Sequence, residues 1–404
     1  MAKPKLTVVL LPVWSSGHFT PALEAGKRLV SALGCDDFSL TVLVMRPPTP
    51  ESASQVATHM AGEAAAESAT RGGCEVIFHH LPAVEPPAGC DTVEVFTSRY
   101  IHLHAPLVRA TVAALPAAAA ALVVEFTSTG MFDVARELGV PAYVYFASSA
   151  AMLALMLRLP ALHDEAPEEF GEQQRVRVPG LPRRSSSRRC WRRSPRAGAR
   201  VDAPRRRCTR SARLGFLTAE QVSEAAAGLE RSGQRFLWAL RAPPAAAGEL
   251  RLPEGFLERT KDRGLVWTSW APQREVLAHR AVGGFVTHCG WNLVLQALWS
   301  GVPMAPWPLY AEQHLNAFEI VASMGVAVRM DVDRKRNNFV EAGEVARVVR
   351  CLVRGDDEEE DGRRARKRVA EMRGACHRTV VQGGSSHASL HGAAAAVRHR
   401  LEDA

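Results

Sequence analysis

The chain has 404 residues, 47% hydrophobic and 23% charged, which is long for one core, fits globular domains and excludes fibrous or wholly disordered classes. The formal net charge is +8, yet 13 arginines between Arg183 and Arg213 stand against one acid, Asp202; that stretch carries about +12 and the remainder about −4, so the basicity is local. Eight cysteines (Cys35, Cys74, Cys90, Cys190, Cys208, Cys289, Cys351, Cys376) form no C-x-x-C pair, so neither a disulfide framework nor a zinc site is expected, and without a membrane-length apolar run the reading is a soluble, cytoplasmic protein.

The run KLTVVLLP from Lys5 to Pro12 reads as a buried strand, followed by the loop VWSSGHFTP and a helix over residues 21 to 33 with Pro21 near its start. Strand, loop, helix opens a βαβ unit. Further strands are predicted at Phe38 to Met45, Cys74 to His80, Ala121 to Phe126 and 141 to 148, with helices at Val93 to Ala114 and Ala150 to Arg158. From Leu181 to Arg213 apolar periodicity is lost. It returns with a helix at Thr218 to Ser232, strands at Arg235 to Leu240 and Gly264 to Thr268, and a helix around Arg274 to Arg280. The strand GGFVTH, a helix from Gly290 to Ser300 and the strand VPMAPWP then complete a second α/β unit.

The stretch Trp270 to Gln313 carries the chemistry. A strand ending at His288 and a helix beginning with Cys289, Gly290, Trp291 and Asn292 would turn backbone N–H groups and the positive end of a helix dipole toward a diphosphate. Gly290 lets the backbone come close. His288 and Asn292 can add side-chain hydrogen bonds, Trp270 offers a flat face to a base, and Gln273 suits a base or ribose edge. Glu312 and Gln313 provide an acceptor and an amide for sugar hydroxyls. Taken singly, Trp270 reads as core and His288 as structural; W-A-P-Q, H-C-G-W-N and P-L-Y-A-E-Q at this spacing answer to no packing rule.

This stretch resembles the 44-residue plant secondary product glycosyltransferase box, and the likeness to plant UDP-glycosyltransferases, most closely flavonoid and anthocyanidin O-glucosyltransferases, runs over residues 1 to 180 and from about 215 to the end. It implies an α/β GT-B fold of two Rossmann-like, doubly wound domains facing a cleft. The N-terminal acceptor-binding domain would span 1–180 and the UDP-sugar-binding domain 215–385. An aberrant Arg-rich segment would occupy 181–214, and a C-terminal helix 386–404. By this resemblance Trp270 stacks on uracil, Ala271 and Gln273 line the uridine, His288, Trp291 and Asn292 hold the diphosphate, and Glu312 and Gln313 hold the sugar, with the terminal Gln associated with glucose. His18, in the G-H-x-x-P setting after the first strand, would be the general base of an inverting displacement. Its orienting carboxylate would be Glu125, where the family has Asp. The extra methylene shifts the carboxylate by about one bond length, a misplacement that can cost up to roughly 100-fold in rate.

The scheme calls for no metal and no cofactor besides UDP-glucose as donor substrate. The expected partners are UDP-sugar and a small phenolic acceptor, with no nucleic acid and no membrane, for a monomer. Four departures from the box and its surroundings set up an alternative, a catalytically impaired relative or a faulty gene model with weak UDP-sugar binding. Leu293 replaces a phosphate-binding Ser, Gln296 replaces a ribose-binding Glu, Ala147 stands where relatives carry Thr or Ser, and the Arg-rich text replaces the linker and its adjacent strands. A third reading makes that text a tether for RNA or an anionic partner; its single aromatic, Trp191, offers no stacking platform, which weighs against it.

Overall fold

The computed structural model describes residues 5–165, 217–353 and 360–402, apart from 51, 55, 59, 62–72, 91, 241–251 and 269–270. The Arg-rich segment 181–214 and Trp270 lie outside the described residues. By its contacts the chain forms two units, Met1–Ala147 with Thr379–Ala404, and Ser148–Arg378. Hence the helix Ala150–Glu165, expected with the N-terminal half, belongs to the second unit, where Ala151 and Leu155 pack on Leu315. The last helix, Ser385–Glu402, belongs to the first.

In the first unit, β1 (Leu6–Leu11), β2 (Phe38–Val44), β3 (Val76–His80), β4 (Ala119–Glu125) and β5 (Ala142–Tyr145) form one parallel sheet in the order β3-β2-β1-β4-β5. Val8, Val9, Leu10 and Leu11 are fully buried, as continuous apolar strands covered on both faces require. The chain runs outward from β1 on one side and resumes at β4 on the other. The carboxyl ends of β1 and β4 therefore border the topological switch point, where open α/β sheets place their ligands.

Two helices differ from their predicted form. The first spans Ser16–Leu33 and so takes in His18 and Pro21, which were read as loop and helix start. Ser15, extended at φ −74° and ψ 140°, is the N-cap; its side chain makes no capping bond, and its carbonyl accepts the first helical bonds, from the N–H groups of His18 and Phe19. The single helix predicted over Val93 to Ala114 is two, Val93–Leu103 and Ala105–Ala113, divided at His104. Pro106 disfavours helical continuity there, and the buried His104 ring bonds the Tyr100 carbonyl at 2.8 Å.

The cysteine reading needs one correction: Cys35 and Cys74 are disulfide-bonded, with Cα atoms 4.7 Å apart. The parallel register that sets Leu40 opposite Val76 brings the amino ends of β2 and β3 together, a proximity that spacing along the chain cannot reveal. Closing a loop over a separation of 39 residues stabilises the fold by about 3 to 5 kcal/mol on chain-entropy grounds. Reduction, or Cys35→Ser, should lower the unfolding midpoint measured by circular dichroism, and equal midpoints with and without reductant would refute the link.

In the second unit the helices Ala219–Ser232 and Ala342–Val353 pack together around Ala225, Val345, Val348 and Val349. A capping box on Thr218 and Gln221 begins the first of them. Among the described residues the strands here are two parallel pairs, β6 (Phe236–Ala239) with β7 (Gly264–Trp267), and β8 (Phe285–Thr287) with β9 (Met304–Pro306). One face of the β6–β7 pair, with Phe236 and Trp238, turns to Phe256. On its other face Leu237 pairs with Leu265 and Ala239 with Trp267, and the three large side chains are 43%, 51% and 36% exposed. No described helix is long and apolar enough to cross a membrane.

Candidate functional site

His18 enters from the first turn after β1, and Glu125 is the last residue of β4. The two meet with Nδ1 of His18 2.9 Å from the Glu125 carboxylate oxygen Oε1. The added methylene of Glu therefore does not prevent the contact. Glu125 is fully buried, and its second oxygen, Oε2, accepts from the Thr127 N–H at 3.0 Å and the Thr127 hydroxyl at 2.6 Å. Both carboxylate oxygens are thus committed, which fixes the carboxyl plane and, through Nδ1, the imidazole. The side chain of His18 keeps 37% of its surface exposed, so its far nitrogen can reach a ligand. Burial, and secondarily the Glu125 charge, raise the phenol pKa of Tyr145 on the neighbouring strand. Thr127 had no sequence signal; its place two residues beyond the strand end is what gives it the grip.

In the second unit β8 ends at Thr287, and the following helix is Trp291–Ser300, with Gly290 rather than Cys289 at its cap. Cys289 sits in the left-handed region at φ 67°, a conformation costly for a residue with a side chain. It is held there by three hydrogen bonds to two buried residues, Thr287 and Asn316. Its N–H donates to the Thr287 hydroxyl at 3.1 Å, its thiol to the Thr287 carbonyl, and its own carbonyl accepts from Asn316 Nδ2 at 2.9 Å. Burial pushes the Cys289 thiol far up, so it stays protonated and serves as core. Asn316 in turn faces the Ser149 hydroxyl at 3.4 Å. Neither Asn316, Ser149 nor Thr287 was singled out in the sequence, because their partners lie far along the chain.

The candidate donor-site residues divide into those brought together and those given other tasks. Gln273, first residue of the helix Gln273–Ala278, donates from Nε2 to Gln296 Oε1 at 2.7 Å. Each was expected to face a ligand, and the two also bind one another. Trp291 is partly buried and packs against the cluster that holds Cys289, Val294 and Leu298. His288, Asn292 and Leu293 lie half-buried around the same turn, as does Ala271 at the start of the stretch that leads to Gln273. Burial lowers the His288 pKa, leaving a neutral ring with one N–H to donate. Gln313 is 2% exposed, and its Oε1 accepts the Leu309 and Tyr310 N–H groups at 2.9 and 3.2 Å. Its carbonyl therefore holds the preceding loop, which leaves the amide nitrogen and the half-buried Glu312 as the polar groups at that end. Ala147 closes the first unit at the end of β5's loop.

Gly290 is at φ −56°, so its value is space and not backbone freedom. A Cβ there would stand 2.9 Å from His288 Nε2 and 3.2 Å from Leu293 Cδ1. Gly290→Ala should displace the imidazole and weaken UDP binding by titration calorimetry while the fold persists. Unchanged affinity would remove His288 from the binding surface.

Burial also lowers the pKa of three histidines, His104, His288 and His314, the last to about 4 with help from Arg334. The unfolded chain protonates these rings near the ordinary value of 6.5 while the folded state refuses the proton. Their effect is absent above that pH and destabilises the fold as pH falls below 6.5, for His314 down to about 4, by up to about 1.4 kcal/mol per pH unit for each proton. Urea midpoints measured at pH 7.5 and 5 should fall accordingly; equal midpoints would contradict it.

Residues 215–344 match the family described as UDP-glucoronosyl and UDP-glucosyl transferase. The chain is 44% identical, over 473 aligned positions covering 96% of each sequence, to the malvidin galactosylase UGT88C3 of Oryza sativa subsp. indica. That aligned length exceeds the 404 residues here, so the rice protein carries residues that this chain lacks. Among solved structures, it is similar to UGT2 of Phytolacca americana complexed with UDP-2fluoro-glucose and pterostilbene, at 29% identity and TM-score 0.76, over 97% of this chain and 100% of that one. It is likewise similar to a UDP-glucosyltransferase of Polygonum tinctorium capable of glucosylating indoxyl, at 28% identity and TM-score 0.77, over 98% and 100%.

Proposed function

Because the chain belongs to the plant family 1 UDP-glycosyltransferases, enzymes of the α/β GT-B class, we propose that it transfers glucose from UDP-glucose to a hydroxyl of a small phenolic or flavonoid acceptor, with inversion at the anomeric carbon. The observation that carries this reading is the His18–Glu125 pair at 2.9 Å. With Nδ1 engaged by the carboxylate, Nε2 of His18 is the nitrogen that takes the proton from the acceptor hydroxyl. The acceptor oxygen then bonds to the anomeric carbon as the bond from that carbon to the diphosphate oxygen breaks, and UDP leaves with the electron pair. Glu125 stabilises the imidazolium that forms, and the helix start at Trp291 and Asn292, with His288, takes the charge developing on the diphosphate.

The sugar has a second candidate. The rice relative is named for galactose, and the fixed carbonyl of Gln313 leaves its amide as a donor, a group that either epimer's hydroxyls could accept. We keep glucose as the first reading, on the terminal Gln of the box and the donors of the solved relatives. The experiment is release of UDP from UDP-glucose and UDP-galactose in parallel over a flavonoid panel. A kcat/KM larger for UDP-galactose would replace the glucose reading. Absence of turnover with both, persisting when Ser is placed at 293 and Glu at 296, would leave a catalytically impaired relative.

A further inference from the structure

The helix Ser385–Glu402 is anchored at its far end. Ala394 and Val397 are buried in the core of the first unit, and the Arg398 guanidinium reaches the Leu33 carbonyl. Nearer its start, His387 and His391 stand four residues apart, and so on one face of the helix. His391 is exposed and His387 half-buried. Their Nε2 atoms are 3.2 Å apart and their ring centroids 4.3 Å. At that distance one nitrogen donates a single shared proton to the lone pair of the other. Glycosyl transfer makes no use of either ring.

The spacing suits another occupant. A zinc ion sits about 2.0 to 2.1 Å from an imidazole nitrogen, so two nitrogens 3.2 Å apart subtend an angle of about 100° at the metal, close to tetrahedral. We propose that His387 and His391 form a two-imidazole site for a borderline-soft divalent cation, Zn2+ or Cu2+, in which the shared proton passes to Nδ1 of the donor ring, both Nε2 lone pairs bind the cation and water completes the coordination. No group of three or more metal-binding side chains occurs among the described residues. The site is therefore open and exchangeable, and its effect is to tie two exposed turns of the helix to each other. It does not rest on the transferase reading.

The test is titration calorimetry of the full chain with ZnCl2 and with CuSO4 in a non-coordinating buffer. One ion per chain is expected, copper tighter than zinc by the usual order of divalent affinities. His387→Gln and His391→Gln should each weaken binding by about tenfold or more. His279→Gln, at an exposed histidine elsewhere, should bind as the parent does. Zinc should also raise the thermal midpoint of the parent and leave that of the double variant unmoved, a readout that needs no turnover and shows that the variants fold. Absence of binding by the parent, unchanged binding by the double variant, or an equal loss in His279→Gln would each overturn the site.

Discussion

His18→Ala is expected to lower kcat by about 100- to 10,000-fold, the usual worth of a positioned general base, with the KM for UDP-sugar little changed. The side chain is 37% exposed and its partner stays pinned by Thr127, so the variant should fold and the loss should be chemical. Steady-state UDP release, read beside a thermal melt, separates the two. A loss under about tenfold would point to another base. The carboxylate supports the same proton transfer less directly: it holds one tautomer and the forming cation, so removing it costs rate without removing the base.

The second large effect is a gain. Leu293→Ser combined with Gln296→Glu should tighten UDP binding by about ten- to a hundredfold for each restored contact. The reason is local. The Gln296 carbonyl oxygen already accepts from Gln273 Nε2, which leaves one lone pair for a ribose hydroxyl, and its NH2 group cannot accept. A glutamate can accept from Gln273 with one oxygen and keep the other, charged, for the ligand. Serine at 293 exchanges an apolar branch beside the helix start for a hydroxyl. Calorimetric titration with UDP should resolve both steps, and a double variant that binds no tighter than the parent would remove these positions from the donor surface.

Much of this was legible in the sequence, and the parts that were not share a cause. Strand runs such as KLTVVLLP declare themselves because a parallel strand is apolar on both faces, and the pairing of His18 with Glu125 follows from two strand ends beside one switch point. Partnerships across the fold leave no such trace. Nothing in the order of residues says that Cys35 meets Cys74, that Gln273 and Gln296 bind one another, or that the Gln313 carbonyl serves a loop. The start of the first helix was set too late because Pro21 reads as a first-turn residue, whereas the helix begins at Ser16 with Ser15 as its N-cap.

The exposed leucines and tryptophan on β6–β7 bear on how the protein behaves in a tube. A twisted pair of strands with a greasy outer face recruits like surfaces, so loss of soluble protein on storage should scale with concentration as well as temperature. Dilution and a mild detergent would then preserve it better than added salt, which strengthens apolar association.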